Sequence, residues 1–206
     1  MFRTPSASLS TRLPTLEVAV QTGPLAASDG ALPEDPQKLF QNEINQNITD
    51  SGDSLLFGYA RLQVTEATAA RAGRGFQAFQ MLTFMAPSLF GMPLEYRRTS
   101  LRAEVQIMND RGQVIGTYEG IGRSNVRVAM YHGYSQSDAP RLADADALRL
   151  ALAQIRPQLE TDSDTLRMQL LATEPIDQNA IKLEMHEINV SPFPEGIKRS
   201  IVSAGL

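Results

Sequence analysis

The side chains best suited to acid–base or metal chemistry are few in this chain and stand far apart. His132 and His186 are the only histidines, and there is no cysteine. A zinc centre takes three or four ligands from His, Cys and carboxylate, and no HExxH-type pair is present. Glu187 follows His186 directly, but neighbours on a strand point to opposite faces. Both histidines are therefore read as surface or hydrogen-bonded residues rather than metal ligands. Carboxylates gather at Asp144 and Asp146, and again at Glu160, Asp162 and Asp164. A catalytic pair needs a cleft that pushes two pKa values apart. These five read instead as a solvated helix face and a polar loop. The sequence thus predicts no catalytic residue, no metal and no cofactor, and a chain that is not an enzyme.

Two further stretches imitate sites. "GIGRSN" at 120–125 matches the first half of a dinucleotide fingerprint. The fingerprint needs a helix to open there, because the phosphates sit on helical N–H groups. "VRVAMY" follows and is extended in character, so a turn or bulge is expected. Neither a phosphate-binding GxxxxGK[ST] loop nor a GxSxG nucleophile elbow occurs. "YHGYS" sets Tyr131, His132 and Tyr134 around Gly133. Aromatic residues beside a glycine can form the rim of a ligand site, or can close a strand end onto a helix.

The elements that would position these residues follow from periodicity. "TLEVAVQ" and "LLFGYARLQVTEA" alternate apolar and polar residues and read as strands. "SLRAEVQIMNDRGQVIGTYEG" reads as a β-hairpin turning at 109–112. Leu39, Phe40, Ile44 and Ile48 fall on one helical stripe, with Asp35 as N-cap and Pro36 behind it. Leu148, Leu152, Ile155 and Leu159 form the stripe of a longer helix, capped by Ser137 or Asp138. Pro157 should kink or end it. The reading is α+β: an antiparallel or mixed β-sheet packed against two amphipathic helices, with a C-terminal extension. Residues 1–14 are expected as a tether, 15–162 as the folded domain and 163–206 as the extension.

Composition narrows the class. Apolar residues are 42% and charged residues 20% of the 206, as in ordinary globular proteins. The net charge of -4, with scattered Lys and Arg, shows no basic pole for nucleic acid. The apolar run is "GFQAFQMLTFMAPSLFGMP" at 75–93. A membrane span needs ~20 apolar residues, but Pro87 would break this one. A strand to Phe84, a turn at Ala86–Pro87 and a second short element fit better. The run is then either an insert over the sheet edge or an interaction patch, since Met and Phe make adaptable surfaces. Phe84, Met85, Leu89, Phe90 and Met92 are assigned as the partner-contacting residues.

The stretch from "LTFMAPSLFGMPLEYRR" through "YHGY" to "DAPRLADADALRLALAQIRPQL" resembles envelope lipoproteins of the Bacteroidetes type. It is more distantly similar to accessory lipoproteins of secretion and transport machines. The resemblance covers about residues 80–160 and carries no functional residue. It implies a periplasmic domain anchored in the outer membrane through a lipidated cysteine ahead of residue 2, acting as an accessory or assembly component of an envelope complex. Were Met1 the natural start, the chain would be cytoplasmic. A second reading is a soluble small-molecule-binding protein, with a pocket between sheet and long helix and Tyr131, His132 and Tyr134 at its mouth.

Overall fold

The computed structural model describes residues 8–50, 55–83, 92–129, 133–173, 175 and 176. They belong to one compact unit that reaches Ile176. Four strands form one mixed sheet in the order β1 (Glu17–Gln21), β2 (Gly58–Ala72), β3 (Glu95–Asn109) and β4 (Val114–Val128). β1 runs parallel to β2, and the other pairs are antiparallel. Between β1 and β2 lie a 3-10 turn (Gly23–Ala27), helix α1 (Glu34–Glu43) and a π turn (Ile44–Ile48). Helix α2 (Arg74–Leu82) follows β2, and helix α3 (Ala139–Leu171) closes the described chain. The fold is α+β.

The alternation along the strands decides which face is buried. Ala60, Leu62 and Val64 of β2 and Leu101, Ala103, Val105 and Ile107 of β3 all point inward. The intervening Arg61, Arg102 and Glu104 stay on the outer face. Across the inner face lies α3, whose Leu148, Leu152, Ile155, Leu159, Leu166 and Leu170 are buried in the same cluster. Phe40 and Ile44 from α1 and Ile48 from the π turn complete it. Arg156 of α3 reaches Glu43 of α1, with Nε donating to Oε1 at 2.8 Å, and Asn47 Nδ2 donates to Oε2 at 2.9 Å. This buried ion pair joins the two helices across the core.

Four expectations from the sequence are corrected. The "GIGRSN" stretch is neither turn nor bulge but uninterrupted strand β4. Its two glycines lie under α3. A Cβ on Gly120 would stand 2.3 Å from the Ala151 carbonyl oxygen, and one on Gly122 would stand 1.7 Å from that of Ala147. The glycines are there because the helix backbone touches the strand backbone. The segment 74–82 is helix rather than strand, and β2 runs through the polar 66–72 stretch, held by its ladder to β3.

The third correction concerns α3. It passes through Pro157 and reaches Leu171. A mid-helix proline loses one hydrogen bond at ~3 kcal/mol. Ile155 and Leu159, buried on either side of it, hold both flanking turns to the sheet. The fourth concerns the residues before β1. Leu9 and Leu13 are buried, and their amides donate to the carbonyls of Asn47 and Ile48 at 2.8 and 2.9 Å. Residues 9–13 are thus docked chain, not solvated tether. The Ser10 hydroxyl and amide bond to Glu160 and hold its carboxyl below the usual range.

The glycine contacts generate a stability contrast. Gly122→Ala forces a methyl against a backbone oxygen that cannot rotate away, and overpacking costs ~1–3 kcal/mol or more. Gly75 in α2 faces open space, so Gly75→Ala should gain ~0.5–1 kcal/mol from helix propensity. Urea denaturation is expected to move the two midpoints in opposite directions. Equal midpoints would contradict the close-contact account.

Candidate functional site

The inner face of the sheet changes character at the end where β3 begins. Alternation carried upstream from Leu101 places Thr99, Arg97 and Glu95 inward, and all three are buried. The helical stripe carried one turn back from Leu148 reaches Asp144, only 6% exposed. Sequence reasoning puts Asp144 on a solvated face; the structure puts it against the sheet. Its neighbour Asp146 stays partly exposed beside Arg149. Thr99 Oγ1 donates to Asp144 Oδ1 at 2.7 Å, and Ser124 Oγ donates to the Ala143 carbonyl at 2.7 Å. The other carboxylate oxygen of Asp144, Oδ2, is buried and has no hydrogen-bond partner.

The chain from 22 to 36 folds over this polar end. Gly30 lies so close to α3 that a Cβ would meet the Arg141 amide at 2.2 Å. Arg141 grips Asp35 with both arms of its guanidinium, Nε to Oδ2 at 2.5 Å and an Nη to Oδ1 at 2.8 Å. Asp35 is thus the anchor of the loop rather than a helix cap. Asp29 accepts from Arg71 at 3.0 Å and from Arg97 at 3.3 Å, while Arg97 Nε donates to Glu95 Oε1 at 3.1 Å. The loop is pinned at two points, and a cleft remains between them.

Two adjoining cavities make up that cleft, with empty volumes of about 440 and 640 Å³ including their open mouths. Asp144, Thr99, Ser28, Asp29 and Ala69 line both. Pro24, Leu25, Ala27 and Ala67 supply an apolar wall. Ser28 Oγ is a second buried polar atom without a partner. Both residues line the cleft, and these two oxygens are themselves closed to solvent. On the far side of Asp144 a third, more apolar cavity runs between Leu25, Leu32, Leu39 and Leu148.

The residues singled out from sequence fare differently. Phe84, Met85, Leu89, Phe90, Tyr131, His132 and His186 lie outside the described residues. Met92 is described and is 40% exposed. Tyr134 is exposed, bridges to Val128 and donates its amide to the Arg127 carbonyl at 3.1 Å. It lines none of the cavities described above. Within the apolar run, α2 exposes Phe76, Phe79, Met81 and Leu82. Among the described residues no group of three His, Asp or Glu could hold a metal, and no helix is long and apolar enough to cross a membrane. Tyr118, inward on β4, has its phenol pushed above the usual range by burial and by its hydrogen bond to Asp162.

No family model matches the chain, and no curated protein matches it.

The loop pin has a pH signature. Hydrogen bonds from Arg71 first, then Arg97, hold the Asp29 carboxyl below its ordinary value. A group whose pKa is lowered in the folded chain contributes stability above its unfolded pKa, and that contribution is lost as pH falls through the folded value. Amide exchange over residues 24–31, corrected for the intrinsic rate, should therefore quicken as pH drops below the aspartate range. Asp29→Asn should show the faster exchange already at neutral pH, with little further change in acid. An identical acid response in both proteins would contradict the pin.

Proposed function

We propose that this chain is a non-enzymatic docking domain of the bacterial cell envelope, a periplasmic lipoprotein module held at the outer membrane that joins a protein complex. The observation that carries the reading is the surface of α2. Phe79 is 49% and Leu82 is 80% exposed, and Phe76 and Met81 stand open beside them. Large apolar side chains grouped on one short helix mark an interaction site more often than a free surface. Met92, near the end of the same apolar run, is exposed as well. The partner's complementary face would be apolar, and Phe84, Met85, Leu89 and Phe90 would extend the contact.

Phe79→Asp with Leu82→Asp tests it. Surface substitutions shift stability by about 0.5 kcal/mol or less each, so the double variant's melting temperature should stay within about 4 °C of the parent. The complex recovered by crosslinking in intact envelopes should be lost. A variant that melts early, and loses the complex only for that reason, would overturn the docking role of α2. Fractionation tests the location. The reading expects the chain in the outer-membrane fraction with an acylated N-terminal cysteine, and an unacylated chain confined to the cytoplasm would contradict it.

A second reading, small-molecule binding, is favoured by the cleft that Ser28, Asp29, Thr99 and Asp144 line. A broad thermal-shift screen addresses it, because a saturating ligand raises stability by mass action.

A further inference from the structure

We propose that the outer face of the sheet is a membrane-facing surface, on which Arg98, Arg123 and Arg127 meet the phosphates of anionic lipid headgroups. This adds to the envelope reading above by naming the surface on which the domain lies, and the two have separate tests. The arginines are scattered in the sequence, and the register of the hairpin gathers them. The alternation that buries Arg97, Thr99, Ser124 and Val126 sends Arg98, Arg123, Asn125 and Arg127 to the opposite face, where all four are exposed. Arg98 lies across from Asn125. Arg123 and Arg127, two residues to either side of Asn125, are therefore its diagonal neighbours, about 7–8 Å away.

The strands do not balance this charge. Ala70 and Asn125 flank Arg98 across the ladders, and Tyr96 and Ser100 flank it along β3. Arg123 has Ser100 across from it, with Ile121 and Asn125 along its own strand. None of these is acidic. Glu66 and Glu119, next along the face, are shared by Arg102 at 4.0 and 3.8 Å. Like charges on neighbouring strands repel. In a chain of net charge -4, the grouping opposes the fold alone and favours an anion. The shape of the face selects which anion. Helices α1 and α3 pack on the inner face, and Ser100, Asn125, Thr68 and Ala70 lie among the arginines on the outer one. A protein contact is built on an apolar centre, which α2 has and this patch lacks. A single small anion takes a concave site, whereas Arg123 and Arg127 stand four residues apart on a strand, about 13 Å. Headgroup phosphates attract each spaced arginine without a pocket. Tyr96, across from Arg127, brings the amphipathic ring that is enriched at membrane interfaces.

The test is co-sedimentation of the full chain with vesicles of phosphatidylglycerol and phosphatidylcholine in equal parts, set against vesicles of phosphatidylcholine alone. The chain should pellet with the anionic vesicles at low potassium chloride and stay in solution with the neutral ones. High salt should release it, because the screening length falls from about 10 Å at 0.1 M to about 3 Å at 1 M. Arg98→Gln with Arg123→Gln should weaken binding about fivefold for each arginine removed. Arg98→Lys with Arg123→Lys keeps the charge and should bind nearly as the parent does. Should the double Gln variant not fold, Arg123→Gln alone is read. Phe79→Ser with Leu82→Ser, which leaves the sheet face alone, should pellet like the parent. Vesicle binding unchanged by the Gln substitutions, or lost only with the α2 substitutions, overturns the assignment to the sheet face. Equal binding to neutral vesicles overturns the headgroup chemistry. No binding to either vesicle, or tighter binding of a single-stranded DNA oligonucleotide than of the anionic vesicles, overturns the membrane as occupant. None of these results bears on crosslinking through α2, so the docking reading stands or falls separately.

Discussion

The contact on which the rest of the structure depends is backbone against backbone, where α3 crosses β4. Gly120 and Gly122 have no side chain to hold the helix off, and Ala147 and Ala151 present only a methyl in return. This lets a helix of 33 residues, about 50 Å long, lie directly on the sheet. Its leucines then fill the space between Val105, Ile107 and Tyr118 rather than resting above them. The same closeness explains why Pro157 does not end the helix. The lost hydrogen bond is local, whereas the burial of Ile155 and Leu159 holds the axis from both sides. Gln154 and Gln158 use the proximity in another way. Gln154 accepts from the Ile121 amide at 3.0 Å and Gln158 donates to the Glu119 carbonyl at 2.7 Å. Part of the free edge of β4 is thereby satisfied by the helix, which guards it against pairing with another strand.

Seating the helix this way fixes what happens one turn nearer its start. Ala143 comes over Ser124, and Asp144 comes over Thr99. The inner face of the sheet is apolar from Ile107 to Leu101 and polar from Thr99 to Glu95. The covering layer changes with it, from leucines to Asp144 and the loop 22–36. Burial of ionic groups is tolerable only when each has a partner. Glu95, Arg97 and Asp29 meet that condition among themselves, and Asp144 meets it at one oxygen only. The cleft exists because the loop is held by Arg141–Asp35 at one end and by Asp29 at the other, without a side chain filling the middle. The exposed apolar surface of α2 is a separate feature, set on the connection between β2 and β3. The described residues thus set an apolar surface on α2 apart from a polar cleft beside Asp144.

Much of this was legible in the sequence, and the failures have physical causes. Period two in "LRAEVQI" gave β3, the hairpin turn and the buried set from Leu101 to Ile107, because strict alternation admits one placement. The stripe of Leu148, Leu152, Ile155 and Leu159 gave α3 and the face it buries. The stripe also contained Asp144, one turn before Leu148, and the strand alternation contained Thr99, one step before Leu101. Reading a polar side chain as a sign of solvent hides both. The glycines of "GIGRSN" were misread because a glycine needed for a turn and a glycine needed for close approach look alike until the covering helix is known. Helix α2 was hidden by its composition: Phe76 and Phe79 favour strands, and the helix shows its apolar side chains to solvent. The end of α3 does not show in the sequence, because proline is a strong local signal that tertiary packing overrides.

The central claim is that the contact between β4 and α3 sets the geometry of the polar cleft. A chemical-shift map of Gly120→Ala tests it most directly. A Cβ there meets the Ala151 carbonyl oxygen at 2.3 Å and Ile155 Cγ1 at 3.0 Å, so the helix must shift to admit it. The account predicts amide shifts that run from Ala151 along α3 to Asp144 and cross to Thr99 and Ser28, because the helix moves as one body. Shifts confined to the residues around Gly120 and Ala151, with Asp144 and Thr99 unmoved, would contradict it.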